Sequence, residues 1–363
     1  MNTYEIRLER LRDSLRHKKL DAFSLINIEG SDRTNLFYLT GFSGSFGVLI
    51  VTNDRQIFLT DSRYITHATE SVSGYEVFEL KGRVTTIAPR IKRLKRKNIA
   101  INGPTTSVWL FHQVRDKLKK TKLVPVTGLI ETLRTVKDNS EIEAVERAIR
   151  LTDRAFEFIL GKVSPGVTER ELSWEIEKYV RTHGSDGLAF ESIVATGATT
   201  AMPHYEPADR EVHKGDFVLF DMGAKVDHYC ADLTRTVVVG RATQEQKRIY
   251  KIVLEAQGRA IRNLRAGLTS TQADKPARDA IKNAGYDKNF GHGTGHGLGL
   301  DVHEGPRLSP LGKDKLQAGN VVTVEPGIYL PGWGGVRIED VAVVEEKGCR
   351  VLTSAPKKKL IEV

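Results

Sequence analysis

Apolar residues recur along this chain at two periods, and the changes of period mark its organisation. Tyr4, Leu8, Leu11 and Leu15 stand at helical spacing among charged residues, which predicts an amphipathic opening helix. "DAFSLINI" then reads as a buried strand, and "GVLIVTNDRQIFLT" as two β-prone runs joined by the turn "TNDR". A helical stretch near Thr86 to Lys97, the strand "NIAIN", an amphipathic stretch near Val108 to Lys119 and the strand "KLVPV" complete an alternating series. The series predicts a compact α/β unit over residues 1–127, followed by a linker over 128–138. A second domain, 139–363, opens on a capping-box signature at Ser140 and Glu143, with apolar positions at Ile142, Val145, Ile149, Phe156 and Ile159. Another helix is expected in "SPGVTERELSWEIEKYV", and strands with glycine turns from there through Val343. There is no short-period repeat and no low-complexity segment.

Within the second domain several acids stand where strands disfavour them. "DFVLFDMGAKVDHYCADLTRTVVV" reads as two strand-like runs around the turn-prone "GAK", so Asp221 and Asp232 are expected to meet across a hairpin. Glu325 ends the valine-rich run "NVVTV", just before Pro326. In "GGVRIEDVAVV", Arg337 and Glu339 are expected on one face of a strand, with Val336, Ile338 and Asp340 on the other. A buried carboxylate has to be paired, hydrogen-bonded or bound to metal. Four acids with one problem suggest one answer: a pair of divalent ions, whose four positive charges balance them. Such a pair acidifies a bridging water and polarises the carbonyl that it attacks, so hydrolysis is the expected reaction.

The stretch "FGHGTGHGLGLDVHEGPR" adds His292, His296 and His303. The i, i+4 spacing of the first two would suit a helix, but this glycine density makes a helix improbable. The expectation is a backbone that follows a tight path with φ values other residues resist.

Composition narrows the picture without deciding it. A chain of 363 residues with 40% hydrophobic content can bury a sizeable core in one large or two ordinary domains. The formal net charge of +9 is scattered rather than clustered, and the densest run, "RIKRLKRKN", reads as the wet face of a helix, so no nucleic-acid partner is expected. No signal peptide, bilayer-spanning run or cysteine framework is read, Cys230 and Cys349 being the only cysteines; no membrane partner and a cytoplasmic location are expected.

The segments "LFDMGAK", "ADLTRT", "GHGTGHGLGLDVHEGP", "TVEPGIY" and "GVRIED" resemble, in order and spacing, the five ligand segments of the pita-bread metallopeptidases. The branch resembled is that of the Xaa-Pro aminopeptidases and prolidases, and "NLFYLTGFSGSFGVLIV" with "LTDSRY" resembles its creatinase-like N-terminal domain. The resemblance implies an α+β fold: a pita-bread catalytic domain, in which helices back a curved antiparallel sheet with pseudo-twofold halves, and a smaller α/β creatinase-like domain before it. It implies metal ligands Asp221, Asp232, His296, Glu325 and Glu339, with Asp232 and Glu339 bridging. Two divalent ions per subunit are implied; an oxygen-rich set with one imidazole favours Mn²⁺, with Co²⁺ or Zn²⁺ as alternatives. Glu325 would also accept the proton of the attacking water, His303 would face the oxyanion, and His204 in "AMPHYEP" the scissile amide. His292 would line the cleft, and Arg337 would anchor a ligand carboxylate from behind. Thr234 is a candidate hydrogen-bond donor to a ligand carboxylate, whereas Cys230 and the remaining histidines, His17, His67, His112, His183, His213 and His228, are read as packing or surface residues.

Proline-containing peptides are the implied substrates, cleaved before proline, a bond whose tertiary amide lacks the N–H. The N-terminal wording favours an Xaa-Pro aminopeptidase; an Xaa-Pro dipeptidase is the alternative, with Arg307 in "HEGPRLSP" as the cation for its substrate's free carboxylate. The resemblance further implies a homodimer and, with less support from the residues, substrate contacts at Phe42, Asp61 and Arg63. A methionine aminopeptidase is disfavoured by the N-terminal domain, and a creatinase-type amidinohydrolase or a non-catalytic peptide-binding module by the complete ligand set.

Overall fold

The structure is a computed structural model that describes residues 2–82, 87–118 and 120–363. It divides into two units, Met1–Arg134 and Thr135–Val363.

In the first unit the chain runs α1 (Thr3–His17), β1 (Ala22–Asn27), α2 (Arg33–Thr40), β2 (Gly47–Thr52), β3 (Gln56–Thr60), α3 (Ile65–Ser71), β4 (Glu76–Glu79), α4 (Ile87–Arg93), β5 (Asn98–Asn102), α5 (Val108–Arg115) and β6 (Lys122–Val126), with α6 (Glu131–Thr135) at the boundary. Thr86 and Lys119, the expected start of one helix and end of another, lie outside the described residues. The six strands form one sheet in the order β4-β3-β2-β1-β5-β6. Every residue of β1 and β2 is buried, as their mainly apolar runs require of strands covered on both faces, and the polar Ser24, Asn27 and Thr52 are buried with them. Leu8, Leu11 and Leu15 supply the buried face of α1. The short helix α2 has no counterpart in the hydrophobic pattern; it stops at Gly41, whose φ of 73° is the left-handed turn glycine makes at little cost.

The second unit begins with α7 (Asn139–Leu160) and α8 (Glu169–Thr182). Its strands are β7 (Gly187–Leu188), β8 (Ile193–Thr196), β9 (Phe217–Met222), β10 (Ala224–Val226), β11 (Tyr229–Cys230) and β12 (Leu233–Val238), then, after α9 (Gln244–Asn263) and α10 (Ser270–Asn283), β13 (Gly295–Gly297), β14 (Glu304–Leu308), β15 (Val321–Val324), β16 (Gly327–Leu330), β17 (Gly334–Arg337), β18 (Asp340–Val344), β19 (Cys349–Val351) and β20 (Ile361–Glu362). The capping box that starts α7 is Asp138 with Glu141, two residues before the expected pair: the Asp138 carboxylate accepts from Glu141 N, and Glu141 accepts from Asp138 N. Helices α9 and α10 correct the expectation of strands alone beyond α8. Each carries its own capping box, Thr243 with Gln246 and Thr269 with Gln272.

Two sheets carry the acids. One has the order β20-β12-β9-β8 and packs on α7 and α8 through Phe156, Ile176, Val218, Phe220 and Val237. The other has the order β14-β13-β15-β18-β19 and shares a core with α9 and α10 through Val253, Ala277, Val322, Val324 and Ala342. A helix pair over antiparallel strands thus occurs twice in the unit. Among the described residues no helix is long and apolar enough to cross a membrane.

Candidate metal centre

The acids lie at strand ends of the two sheets. Strands β9 and β12 pair antiparallel with Asp221 opposite Thr234, while Asp232 sits just before β12 begins. The expected single hairpin about "GAK" is instead two: β10 and β11 intervene, and the chain reverses at Asp227 and His228, with φ of 50° and 68°. Glu325 follows the last residue of β15, as the sequence led one to expect. Arg337 and Glu339 do not share a strand. Ladder pairing lapses at Ile338 and Glu339, between β17 and β18, which belong to different sheets. Both side chains nevertheless reach one atom, the Thr234 hydroxyl: Arg337 Nε donates to it at 3.0 Å, and it donates to Glu339 Oε2 at 2.6 Å.

The glycine-rich stretch is not helical, and β13 runs through its middle. Its glycines answer to close approach rather than to φ, correcting half of the expectation: none from Gly291 to Gly299 has positive φ. A Cβ on Gly295 would lie 2.0 Å from Thr323 O, and one on Gly297 2.0 Å from Gly305 O. The bare backbone lets β13 lie against its neighbours and carry His296 in among the acids.

There, one donor atom each of Asp232, His296 and Glu339 lies within 4.8 Å of the others. His296 Nε2 stands 3.4 Å from Glu325 Oε1 and 3.6 Å from Asp232 Oδ2. Its other nitrogen, Nδ1, lies 3.0 Å from Gly297 O, an acceptor only, so Nδ1 carries the proton and Nε2 turns a lone pair toward the acids. Burial holds the imidazole's pKa down at about 4, so it is no cation to pair with them. Burial, reinforced by the neighbouring acids, pushes Asp232 and Glu339 well above the usual carboxylate range and Glu325 up to about 8. Asp221 pairs with Arg337 at 2.6 Å through Oδ2, but its buried Oδ1 has no hydrogen-bond partner among the described residues.

This donor set fits divalent cations. Among the described residues four carboxylates face one guanidinium, His296 turns a lone pair toward them, an Asp221 oxygen is orphaned, and Asp232, Glu325 and Glu339 resist ionising until positive charge joins them. His292 is not free to join: its Nδ1 lies 2.8 Å from Gly293 O, and its Nε2 accepts from the Tyr329 hydroxyl at 2.9 Å. That hydroxyl in turn accepts from Arg337 NH1 at 2.9 Å, so a chain of hydrogen bonds runs from His292 through Tyr329 and Arg337 to Asp221. Burial raises the Tyr329 pKa to about 12, which keeps it a phenol.

His303 is exposed beside the cluster, its ring 4.4 Å from that of His296, and partial burial lowers its pKa. His204 is exposed too, near enough to disfavour charge on His292 and His303. Arg307 exerts the same effect on His296 and His303, and its guanidinium has no partner among the described residues. Sequence reasoning missed Tyr329 and Thr323, whose hydroxyl lies 3.3 Å from Glu325 Oε1 and accepts from His296 N at 3.0 Å. Neither carries a local signal; a hydroxyl beside an acid in "TVEPGIY" was the available hint.

In the first unit, Phe42 is fully buried against Phe58, Tyr64 and His67 and so is a core residue, not a substrate contact. Arg63 is paired with Asp61 at 2.9 Å and with Glu29 at 3.1 Å. Cys230 is buried, and burial raises its thiol pKa to about 12, which suits packing rather than chemistry.

Residues 143–346 match metallopeptidase family M24, and residues 7–136 match the creatinase/prolidase N-terminal domain. Among curated proteins, the Xaa-Pro dipeptidase of Pyrococcus furiosus is 33% identical over 94% of this chain and 97% of its own length. Among solved structures, the Xaa-Pro dipeptidase from Bacillus anthracis superposes with a TM-score of 0.95 at 38% identity, over 99% of either chain. The X-Pro aminopeptidase from Thermotoga maritima gives 0.89, also at 38% identity, over 98% of this chain and 99% of its own. The chain belongs to metallopeptidase family M24, with a creatinase-like domain before the pita-bread domain.

Proposed function

We propose that this member of family M24 is an Xaa-Pro dipeptidase that binds two divalent ions, Mn²⁺ first among them, through Asp221, Asp232, His296, Glu325 and Glu339. The observation that carries the reading is the convergence of Asp232, His296 and Glu339, one donor atom of each within 4.8 Å of the others, with the His296 lone pair turned toward the acids and no cation bonded directly to these three side chains among the described residues. The ions supply Lewis acidity: they polarise a carbonyl and acidify water.

The protein's own groups do the rest. Glu325, set just after β15 and 3.4 Å from His296 Nε2, is placed to take a proton from water at its carboxylate and pass it to the departing proline nitrogen. That nitrogen lacks a hydrogen in the peptide, so it has to be given one to leave. His303 is held neutral, and its N–H can donate to the oxyanion as negative charge grows there. His204, exposed and near enough to His303 to disfavour its charge, is assigned to the side of the leaving residue. The Tyr329–Arg337–Asp221 chain and the Thr234 hydroxyl fix the carboxylates before substrate arrives, so their reorganisation is not part of the barrier.

The dipeptidase reading replaces the aminopeptidase favoured by the sequence because Arg307 offers a guanidinium with no partner among the described residues, near enough to His303 to oppose its protonation. A free proline carboxylate is its natural two-pronged partner. Several relatives bearing the name Xaa-Pro dipeptidase support the same choice. The aminopeptidase reading retains one specific support, the likeness to the Thermotoga maritima enzyme. Hydrolysis of Ala-Pro against Ala-Pro-Ala, by protein stripped of metal and reloaded with Mn²⁺, separates them. Cleavage of the dipeptide alone is expected, and preference for the tripeptide would overturn the proposal. The homodimer belongs to the same reading and is checked by sedimentation equilibrium.

A further inference from the structure

Behind the acids lies a second group of buried charges that the reaction does not use. Arg235 is only 1% exposed and heads the fully buried side chains in size. Its NH1 donates to two main-chain carbonyls, Thr234 O at 3.0 Å and Glu339 O. Its NH2 donates to Asp340 Oδ1 at 2.9 Å and to Ala355 O at 2.8 Å. Asp340, itself buried, is held in turn by Thr353, Gln257 and Lys357.

The guanidinium therefore sits at the seam between the two sheets. β12 and β18 belong to different sheets, so no ladder sets their separation. Yet Asp232 and Glu339, one from each side of that seam, must approach closely to share cations. Across the seam, Glu339 N donates to Thr234 O at 3.2 Å, and Arg235 grips the carbonyls of the same two residues. Burying an ion pair gains little stability over an apolar pair of the same volume. What a planar fork with five donors adds is fixed geometry, which lysine with one nitrogen cannot reproduce.

We infer that Arg235 is a positioning residue: locked by Asp340, it fixes the main chain at Thr234 and Glu339 and so sets the spacing at which Asp232 and Glu339 hold two cations together. The inference rests on the metal-centre reading above.

The test counts Mn²⁺ bound by the metal-stripped full chain in equilibrium dialysis, with circular dichroism as the check on folding. The wild-type chain is expected to bind two ions. Arg235→Lys is expected to keep the fold and one ion while the second binds at least tenfold more weakly. Asp340→Asn, which leaves Arg235 in place but unlocks it, is expected to weaken the second ion several-fold, and it keeps the test decisive if the lysine variant does not fold. Thr152→Val loosens the same unit elsewhere, where the Thr152 hydroxyl donates to Ala148 O and accepts from Ala224 N, without touching any of the three carbonyls or the carboxylate that Arg235 grips. It is expected to bind both ions as the wild type does. No ion in the wild type would overturn the metal-centre reading and the inference with it. Two ions in the wild type and unchanged affinity in folded Arg235→Lys or Asp340→Asn would overturn the inference alone. Equal loss of the second ion in Thr152→Val would also overturn it, since general loosening would then be the cause.

Discussion

His296 Nε2 stands 3.4 Å from Glu325 Oε1, and what joins them is a proton or a metal ion. With Nε2 a bare lone pair and Glu325 pushed up to about 8, the metal-free site at neutral pH holds a proton where the reading places a cation. Mn²⁺ added to stripped protein in weak buffer at pH 7 should therefore release protons, and its affinity should rise from pH 6 to pH 8. The stability of the stripped protein should run the other way. A carboxylate whose pKa is raised on folding contributes most below its unfolded value near 4.5, and that contribution is lost as pH rises toward about 8. Melting of stripped protein at pH 6 and pH 8 checks the sign; a higher midpoint at pH 8 would contradict it.

The Thr234 hydroxyl, between Arg337 and Glu339, separates positioning from ligation. Thr234→Val preserves shape and removes both hydrogen bonds, leaving charged partners unsatisfied at about 1–3 kcal/mol. Turnover should fall by roughly 10- to 100-fold on that basis, while metal content stays near two ions. Steady-state kinetics beside metal analysis distinguishes this from loss of a ligand.

Loss of a ligand should look different. Asp232→Asn or Glu339→Gln should abolish activity and lower bound metal together. His303→Ala should keep the metal yet lose most of its turnover, because that ring lies beside His296 and not among the inward-facing donors. Metal loss in His303→Ala would mean that the division between ligand and catalytic histidine is drawn in the wrong place.

What the sequence disclosed and what it hid divide along physical lines. Acids inside valine-rich runs were legible because a charge in a strand needs a reason, and Asp221, Asp232, Glu325 and Glu339 do lie at neighbouring strand ends. Thr234 was legible from its neighbour, two residues beyond Asp232 and within reach of a ligand carboxylate. Helices α9 and α10 were equally legible, with capping boxes at Thr243 and Thr269, but the glycine turns beyond them drew the reading toward strands. Arg235 and Tyr329 were hidden because their partners lie across a sheet seam or on another strand: Arg235 meets Glu339 and Asp340 more than a hundred residues away. The lapse of pairing at Ile338 and Glu339 was hidden too, since nothing in "GGVRIEDVAVV" interrupts a β-prone run.

The glycines of the 291–299 stretch are not equivalent, and two alanine variants should demonstrate it. A Cβ on Gly297 would fall 2.0 Å from Gly305 O, so Gly297→Ala has to push β13 from its neighbour, a strain of about 1–3 kcal/mol or more. A Cβ on Gly291 meets nothing within 4 Å, and its φ is not positive, so Gly291→Ala should be tolerated. Thermal melts should show a clear drop for Gly297→Ala and little change for Gly291→Ala.

Arg307 carries the specificity argument. Among the described residues its guanidinium has no acid to hold it, yet it lies close enough to His296 and His303 to oppose their protonation. If it receives the proline carboxylate, Arg307→Ala should raise KM for Ala-Pro by roughly 10- to 100-fold, the loss expected for a charged hydrogen-bonded partner. kcat should change less, because that contact is made in the ground state and the transition state alike. Ala-Pro-Ala offers an amide where the dipeptide offers a carboxylate, so its hydrolysis should not worsen and its disadvantage should narrow. Equal loss on both peptides would place Arg307 in the general fabric of the cleft and leave the dipeptidase reading without its cation.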